Sequence, residues 1–182
     1  MSILLKLSGL IDQISIRIGR AVYWLVLLAV VVSATNAVFR YSLNMSSNAW
    51  LEVQWYLFSA VFLLCAPYTL QRNEHIRIDV VAGKLSKTAQ TWIDIFGTVF
   101  FLLPMAYMIF KLSLPIAEDS FMSQEHSTDA GGLIRWPVKM LIPIGFFLLL
   151  LQGLSELIKR IGFLMGLAPD PLASHSAHGS NS

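Results

Sequence analysis

Residues 50–81 read WLEVQWYLFSAVFLLCAPYTLQRNEHIRIDVV, an apolar run followed by a charged segment. Between Ala49 and Leu70 the only charged residue is Glu52. A helix over residues 49–70 extends about 33 Å, enough to cross a bilayer core of about 30 Å with some tilt. The stretch therefore predicts a membrane-spanning helix followed by a segment at the membrane surface.

The composition of the whole chain also indicates a membrane protein. Of its 182 residues, 55% are hydrophobic and 13% are charged, whereas soluble domains carry about 25% charged residues. The net charge is +2 and the basic residues are scattered, so we expect no binding to nucleic acid. Cys65 is the single cysteine, which excludes an intrachain disulfide and a cysteine-based zinc site.

Three other apolar runs have the length of a membrane span. The sequence predicts an all-α membrane protein with a transmembrane domain over residues 21–160. Its four transmembrane helices are expected at about 21–39, 49–70, 92–110 and 140–157. Residues 161–182 are a short apolar piece and a tail too polar to fold. The first run is longer than a signal-peptide core of about 7–15 residues, so we expect no cleavage at Thr35-Asn36-Ala37, although its small residues are compatible with it.

The first 20 residues show helical periodicity, with apolar and polar side chains on opposite sides. The apolar side contains Leu4, Leu7, Leu10, Ile11, Ile14 and Ile18, and the polar side contains Asp12, Gln13, Arg17 and Arg20. We predict an amphipathic helix over residues 1–20 that lies along the membrane interface. An unstructured leader is the alternative.

The distribution of basic residues predicts the orientation in the membrane. Most of the 13 lysines and arginines fall before the first span, between spans two and three, or after span four. The opposite side has only Arg40, Lys111, Arg135 and Lys139. Positive residues favour the cytoplasm, so both termini are expected there. The tryptophans, including Trp50, lie near the ends of the runs, as in an interfacial aromatic belt.

The sequence has no enzymatic signature. It contains no His-Glu-x-x-His, no Gly-x-Ser-x-Gly and no phosphate-binding glycine loop. His75 and Asp79 are four residues apart and could share a helix face, a spacing compatible with metal binding or acid–base chemistry. Two groups with no further ligand nearby make a weak case, and a hydrated pair that stabilises a surface helix explains them better. We therefore expect no catalytic residue, no cofactor and no metal site.

Three polar residues within the runs are candidates for structural roles. Glu52 is costly to place against lipid. It is either an interfacial carboxylate, which could pair with Arg40 across the short hairpin of spans one and two, or an anchor between helices or subunits; proton coupling is a third interpretation. Asp94 is expected at the cytoplasmic interface. Gln152 is a candidate for a helix–helix hydrogen bond.

The motifs resemble those of one family, the small (Q-type) membrane subunit of tripartite ATP-independent periplasmic (TRAP) transporters. They are Trp50-x-Glu52 at the start of span two, Glu74-His75-Ile76-Arg77-Ile78-Asp79 after it, and Gly132-Leu133-Ile134-Arg135-Trp136-Pro137-Val138-Lys139 before span four. Ile142-Pro143-Ile144-Gly145-Phe146 and Leu151-Gln152-Gly153 follow within that span. The resemblance covers about residues 24–161.

The resemblance implies a function that composition does not show. The chain would be a non-catalytic scaffold subunit in the bacterial inner membrane. It would pair with a large permease subunit and a periplasmic solute-binding protein that together import an organic acid with a sodium gradient. Residues expected to set helix packing or the subunit interface are Arg40, Trp50, Glu52, His75, Arg77, Asp79, Lys139 and Gln152. Four acids in the outer connection are expected to help dock the binding protein: Glu118, Asp119, Glu125 and Asp129.

Two other functions remain open at this point. A self-sufficient homodimeric exporter would use Glu52 to bind protons, but the leader and the outer connection, residues 111–137, are long for such a protein. A membrane enzyme would use His75 and Asp79, but no second cluster of catalytic residues accompanies them.

Overall fold

The structure is a computed structural model that describes residues 2–43, 47–72 and 85–169. The predicted fold class is confirmed: the described residues form helices and connections, with no β-strand among them. The helices are α1 (Ser2–Leu43), α2 (Asn48–Gln71), α3 (Lys87–Met122) and α4 (Trp136–Leu164). All four are long and apolar enough to cross a membrane.

The helices run alternately up and down, and α4 is their common support. α1 packs against α2 and α4, α2 packs against α4, and α3 packs along α4 without an extensive interface with α1 or α2 in the described part of the chain. Within the most apolar window of each helix, 39% of α4 is buried, against 17% of α1 and 11% of α2 and α3. The protein is therefore an open layer of helices, and most of its apolar surface faces outward.

The leader and the first span form a single helix, which differs from the predicted arrangement of two separate elements. α1 has 42 residues, a length of about 63 Å, roughly twice a bilayer core. Gly19 lies within this helix without breaking it. The ring of Tyr68 from α2 packs against Gly19, in the space that a Cβ would occupy. The position of residues 1–20 relative to the membrane stays a prediction.

The buried side of α1 is not the side with the large apolar residues. Leu4, Leu7, Leu10 and Ile14 are exposed, whereas Ser8, Ser15, Val22 and Ala29 are buried. These buried residues recur every seven positions, and their small side chains allow close approach between helices. The buried side of α1 thus carries small residues, and its large aliphatic side chains face away from the protein.

α3 continues well beyond the predicted end of span three at residue 110. It contains a π-helical turn, Thr98–Leu102, directly before Pro104. Proline has no backbone N–H and its ring clashes with the carbonyl four residues earlier, so a wider turn at this position relieves the clash. Pro115 also lies inside α3 without ending it, and the helix reaches Met122.

The loop between α3 and α4 is accordingly shorter than the predicted outer connection. It covers residues 123–135, because α4 begins at Trp136 with Pro137 in its first turn, where proline costs no hydrogen bond. The loop turns at Gly131-Gly132: Gly131 has φ +72° and the Gly132 N–H donates to the Asp129 carbonyl at 3.0 Å. We call the end of the protein near this loop the loop end, and the opposite end the terminal end.

Two glycines allow close contact between α4 and its neighbours. A Cβ built on Gly145 would lie 2.9 Å from the Cβ and the carbonyl oxygen of Leu63 in α2. A Cβ on Gly153 would lie 2.8 Å from a methyl group of Leu102 in α3. The glycines of the two span-four motifs therefore lie where α4 meets α2 and α3.

Candidate functional site: polar clusters at the two ends of α4

Glu52 joins the start of α2 to the loop before α4. The carboxylate is buried. Its Oε1 accepts a hydrogen bond from the Ser127 hydroxyl, and its Oε2 accepts one from the Leu133 N–H at 2.5 Å. We call this group of three residues the loop clamp. Because both oxygens of Glu52 are occupied by its own chain, the clamp satisfies a carboxylate that would otherwise be costly near the membrane.

Further bonds from α2 hold the same loop. The Tyr56 hydroxyl donates to the Ile134 carbonyl at 2.8 Å, and the Asn48 amide donates to the Ala130 carbonyl at 3.1 Å. Gly132 leaves the space that Glu52 needs, since a Cβ there would lie 2.9 Å from the Glu52 carboxylate. The Trp50-x-Glu52 and Gly132-Leu133 motifs, which are far apart in sequence, thus form one contact.

The loop itself is a small hairpin-like fold. His126 and Ile134 form an isolated antiparallel bridge. Beside this bridge, Ser127 N–H donates to the Leu133 carbonyl at 2.9 Å and Arg135 N–H donates to the Glu125 carbonyl at 2.8 Å. The backbone bonds place Ser127 and Leu133 side by side, so one carboxylate can reach both.

Glu125 and Lys139 form an ion pair between the loop and the first turn of α4. The hydrogen bond from Lys139 is the main reason that the pKa of Glu125 lies below its ordinary value of 4.5, and Ser120 and Arg135 lower it further, against a smaller opposing effect of burial. The pair is partly exposed, so solvent screens it. Glu125 therefore remains ionised at neutral pH and pairs with Lys139.

Arg40 and Trp50 lie near the clamp but outside it. Arg40 is exposed in the last turn of α1, and the partners of Glu52 are Ser127 and Leu133 in place of the Arg40 suggested by the short hairpin. Trp50, in the first turn of α2, is 44% exposed. Both residues are accessible at the loop end, and their assignment to a subunit interface stays a prediction.

A second polar cluster joins α1 to α4 at the terminal end. Gln152 is fully buried; its oxygen accepts from the Ser15 hydroxyl at 2.7 Å and its amide donates to Asp12 Oδ1 at 2.8 Å. Ser155 donates to the same Asp12 oxygen at 2.9 Å, and its hydroxyl lies 2.7 Å from that of Ser8. We call these five residues the α1–α4 network. Gln152 thus supplies the helix–helix hydrogen bonds that the sequence suggested.

Ion pairs extend this network toward α3. Glu156 pairs with Lys159 and, at 3.0 Å, with Arg160 Nη1. Lys159 also lies 3.0 Å from Asp12, and Arg160 Nε lies 3.3 Å from Asp94 of α3. Glu156 and Arg160 are nearly completely buried. Buried charges of this kind are tolerated only when paired, so Asp94 is a bridge between α3 and α4 and is more than an interfacial charge.

The four proposed docking acids do not have a common environment. Glu118 and Asp119 lie in the last turns of α3, and Asp129 lies in the loop; all three are exposed. Glu125 is engaged with Lys139. Three of the four acids are thus accessible to a partner at the loop end. His75, Arg77 and Asp79 lie outside the described residues, so their roles stay predictions.

The residues that sequence reasoning missed belong to the terminal cluster. The sequence placed Asp12 on the polar side of the leader and gave no role to Ser8, Ser15, Ser155, Glu156 or Arg160. One available signal was the seven-residue spacing of Ser8 and Ser15. The other was Glu156, a carboxylate with Lys159 and Arg160 three and four residues later on the same helix face.

These features define a multi-pass membrane protein whose polar groups connect its own helices. The family model described as "Tripartite ATP-independent periplasmic transporters, DctQ component" matches residues 22–162. The chain belongs to this family, which confirms the resemblance and makes it a small membrane component of a TRAP transporter. No curated protein and no solved structure gives a significant match.

Proposed function

We propose that this protein is the stationary scaffold of a sodium-coupled importer of an organic acid. It pairs with a large permease subunit in the bacterial inner membrane, and a periplasmic solute-binding protein delivers the substrate to the pair. Both termini are cytoplasmic, which places the loop end in the periplasm. The small chain moves no solute; it holds a fixed helical wall beside the subunit that does.

The observation that carries this proposal is the open layer around α4. Only α4 has a substantial buried share, and α1, α2 and α3 expose most of their apolar surface. Pockets at the loop end are open grooves lined by residues of α2, α3 and α4. A layer of this shape suits a support with a large partner on one face and lipid on the other. It gives little room for a solute pathway of its own.

The polar clusters support a static role as well. In transporters, charges inside the membrane commonly mark solute or proton pathways. Here the carboxylates of Glu52 and Glu156 are engaged by groups of the same chain. Their bonds fix α2 to the loop and fix α4 to its neighbours. This arrangement disfavours the homodimeric exporter, in which Glu52 would have to release its partners to bind a proton.

Affinity purification and reconstitution test the proposal. A tagged version, extracted in a mild detergent from cells that make the complete system, should retain a much larger multi-span membrane protein. In proteoliposomes the chain alone should take up no organic acid. The chain with its large partner and the binding protein should take up the acid when sodium is supplied outside, and potassium in its place should abolish uptake. Uptake by the isolated chain would refute the proposal.

The exposed acids near the loop end test the docking of the binding protein. Glu118, Asp119 and Asp129 are accessible and would lie on the periplasmic side in the proposed orientation. Replacing all three by their amides should weaken productive docking and raise the concentration of binding protein needed for half-maximal uptake. The matched control is Glu125→Gln, which removes an acid already paired with Lys139. Equal uptake curves for the triple variant and the wild type would remove these acids from the docking site.

A further inference from the structure

A groove between α2 and the beginning of α4 has the character of an amphipathic binding site. It has a volume of about 280 Å³ and is lined by Trp55, Ser59 and Leu63 on one side and by Arg135, Val138 and Lys139 on the other. The lining residues of α2 follow each other at four-residue spacing, so they form one stripe that descends about 12 Å along the helix. The groove begins at the loop end and enters the apolar part of the protein.

The end of the groove nearest the loop holds two basic side chains. Lys139 is already paired with Glu125, so Arg135 is the cation available to a ligand. Arg135 forms no ion pair within 4 Å in the described part of the chain, its Nη2 has only a long contact of 3.5 Å with Ser127, and its Nε is buried without a hydrogen-bond partner. Glu52 lies close enough to interact with Arg135 electrostatically, but both carboxylate oxygens belong to the loop clamp. A buried guanidinium N–H without an acceptor is costly, so an acceptor that reached the Arg135 Nε from outside the chain would be stabilised there.

The lower part of the groove is apolar. Leu63 and Ile142, the lining residues farthest from the loop, contribute aliphatic surface, and the Trp55 indole lines the groove nearer the loop. Ser59 does not make this wall polar, because its hydroxyl donates to the Trp55 carbonyl at 2.8 Å. The groove thus places the Arg135 guanidinium near the loop end and aliphatic side chains farther from the loop.

We infer that this groove binds a membrane phospholipid, with the phosphate at Arg135 and one acyl chain along Leu63 and Ile142. Arginine binds phosphate oxygens through two N–H groups at once, which would give the buried Nε its acceptor. A phosphate placed there carries its acyl chains in the direction of the groove. The bound lipid would seal the cleft between α2 and α4 in the assembled protein.

Native mass spectrometry of the delipidated full chain tests the site with three probes. Dioleoyl phosphatidylglycerol has both phosphate and chains, dioleoylglycerol has chains only, and inorganic phosphate has the anion only. We expect saturable binding of the phospholipid and no saturable binding of the other two. Equal binding of dioleoylglycerol would show that the headgroup plays no part. Competition by millimolar inorganic phosphate would identify a simple anion site; either result would overturn the inference.

Two variants separate a specific site from general lipid adhesion. Arg135→Gln should weaken phosphatidylglycerol binding about ten- to a hundredfold, as expected for the loss of hydrogen bonds from a charged group. Ser59→Phe keeps the cations and fills the groove, so it should also prevent binding. Arg40→Gln removes an exposed arginine outside the groove and should leave binding unchanged. Unaltered affinity in Ser59→Phe would refute the site even if Arg135→Gln failed to fold.

Discussion

At the scale of single residues, Glu52 explains why a carboxylate is placed near the start of an apolar helix. Its two oxygens receive a hydroxyl and a backbone N–H from a loop that begins about seventy residues later in the chain. The sequence could single out Glu52, because a charge in an apolar run is conspicuous and costly. It could not identify the partners, because the Leu133 N–H depends on the path of the backbone and carries no side-chain signal.

Removing the Glu52 carboxylate should loosen the 123–135 loop. Glu52→Ala leaves the Leu133 N–H without its acceptor, and we expect a loss of about 1–3 kcal/mol in stability. Glu52→Gln should lose less, because one amide oxygen can still accept a hydrogen bond. Thermal unfolding in detergent and the rate of proteolysis within the loop measure the effect. Glu118→Ala, at an exposed acid of α3, is the control and should behave as the wild type.

The Glu125–Lys139 pair should make stability depend on pH in a defined range. The pKa of Glu125 is lowered in the folded protein, so its contribution is complete above the ordinary value of 4.5 and is lost as the pH falls through the lower folded value. The difference in thermal midpoint between the wild type and Glu125→Gln should therefore be constant near neutral pH and shrink below pH 4.5. A difference that grows on acidification would contradict the assigned sign.

At the scale of elements, the sequence predicted the existence of the helices better than their ends. Hydrophobic runs located four spans, but α3 and α4 extend beyond the apolar windows because polar residues can continue a helix outside hydrocarbon. The side of α1 that packs on the protein was not predicted, for a different reason. Periodicity identified its large apolar side, whereas packing in a membrane favours small side chains that allow backbones to approach. In lipid, the most apolar side of a helix need not be the buried one.

A cysteine cross-link tests the docking of the leader on α4. The hydroxyls of Ser8 and Ser155 are 2.7 Å apart, so cysteines at both positions should form a disulfide under mild oxidation. The background carries Cys65→Ser to remove the native thiol. Leu4→Cys combined with Ser155→Cys is the control, because Leu4 is exposed and should cross-link poorly. Cleavage of the chain between the two cysteines, followed by electrophoresis, shows whether a disulfide joins the two fragments. Equal cross-linking in both pairs would mean that the leader is not held in this register.

Gly145 and Gly9 give a matched pair for testing the contact between α2 and α4. A methyl group on Gly145 would meet the backbone of Leu63, and the resulting overpacking should cost about 1–3 kcal/mol. Gly9 in α1 has no atom within 4 Å of the same position, so Gly9→Ala should be neutral or stabilising through its helix propensity. Thermal unfolding of both variants in the same detergent measures the difference. Comparable thermal midpoints for Gly145→Ala and Gly9→Ala would mean that α2 lies farther from α4 than the structure shows.

At the scale of the whole molecule, the two polar clusters hold the open layer of helices together at its two ends. The loop clamp fixes α2 to the loop that leads into α4, and the α1–α4 network with its ion pairs fixes α1 and α3 to the other end of α4. Between them Gly145 of α4 lies against Leu63 of α2, and Phe110 of α3 packs against Phe147 of α4 with ring centroids 5.6 Å apart. Lipid and a partner can then cover the outer faces without being needed to hold the helices together. The proposed stationary scaffold requires this property.

The proposed orientation places the loop clamp in the periplasm and the terminal end in the cytoplasm. Thr128 and Leu167 are exposed on opposite ends, so single cysteines there, in a Cys65→Ser background, should differ in reactivity. In intact spheroplasts a membrane-impermeant maleimide should modify Thr128→Cys at once and Leu167→Cys only after lysis, because positive residues favour the cytoplasm and most of them lie toward the terminal end. Lysed membranes control for accessibility, since both cysteines should react there. The opposite labelling pattern would invert the topology and remove the acids of the loop end from contact with a periplasmic protein.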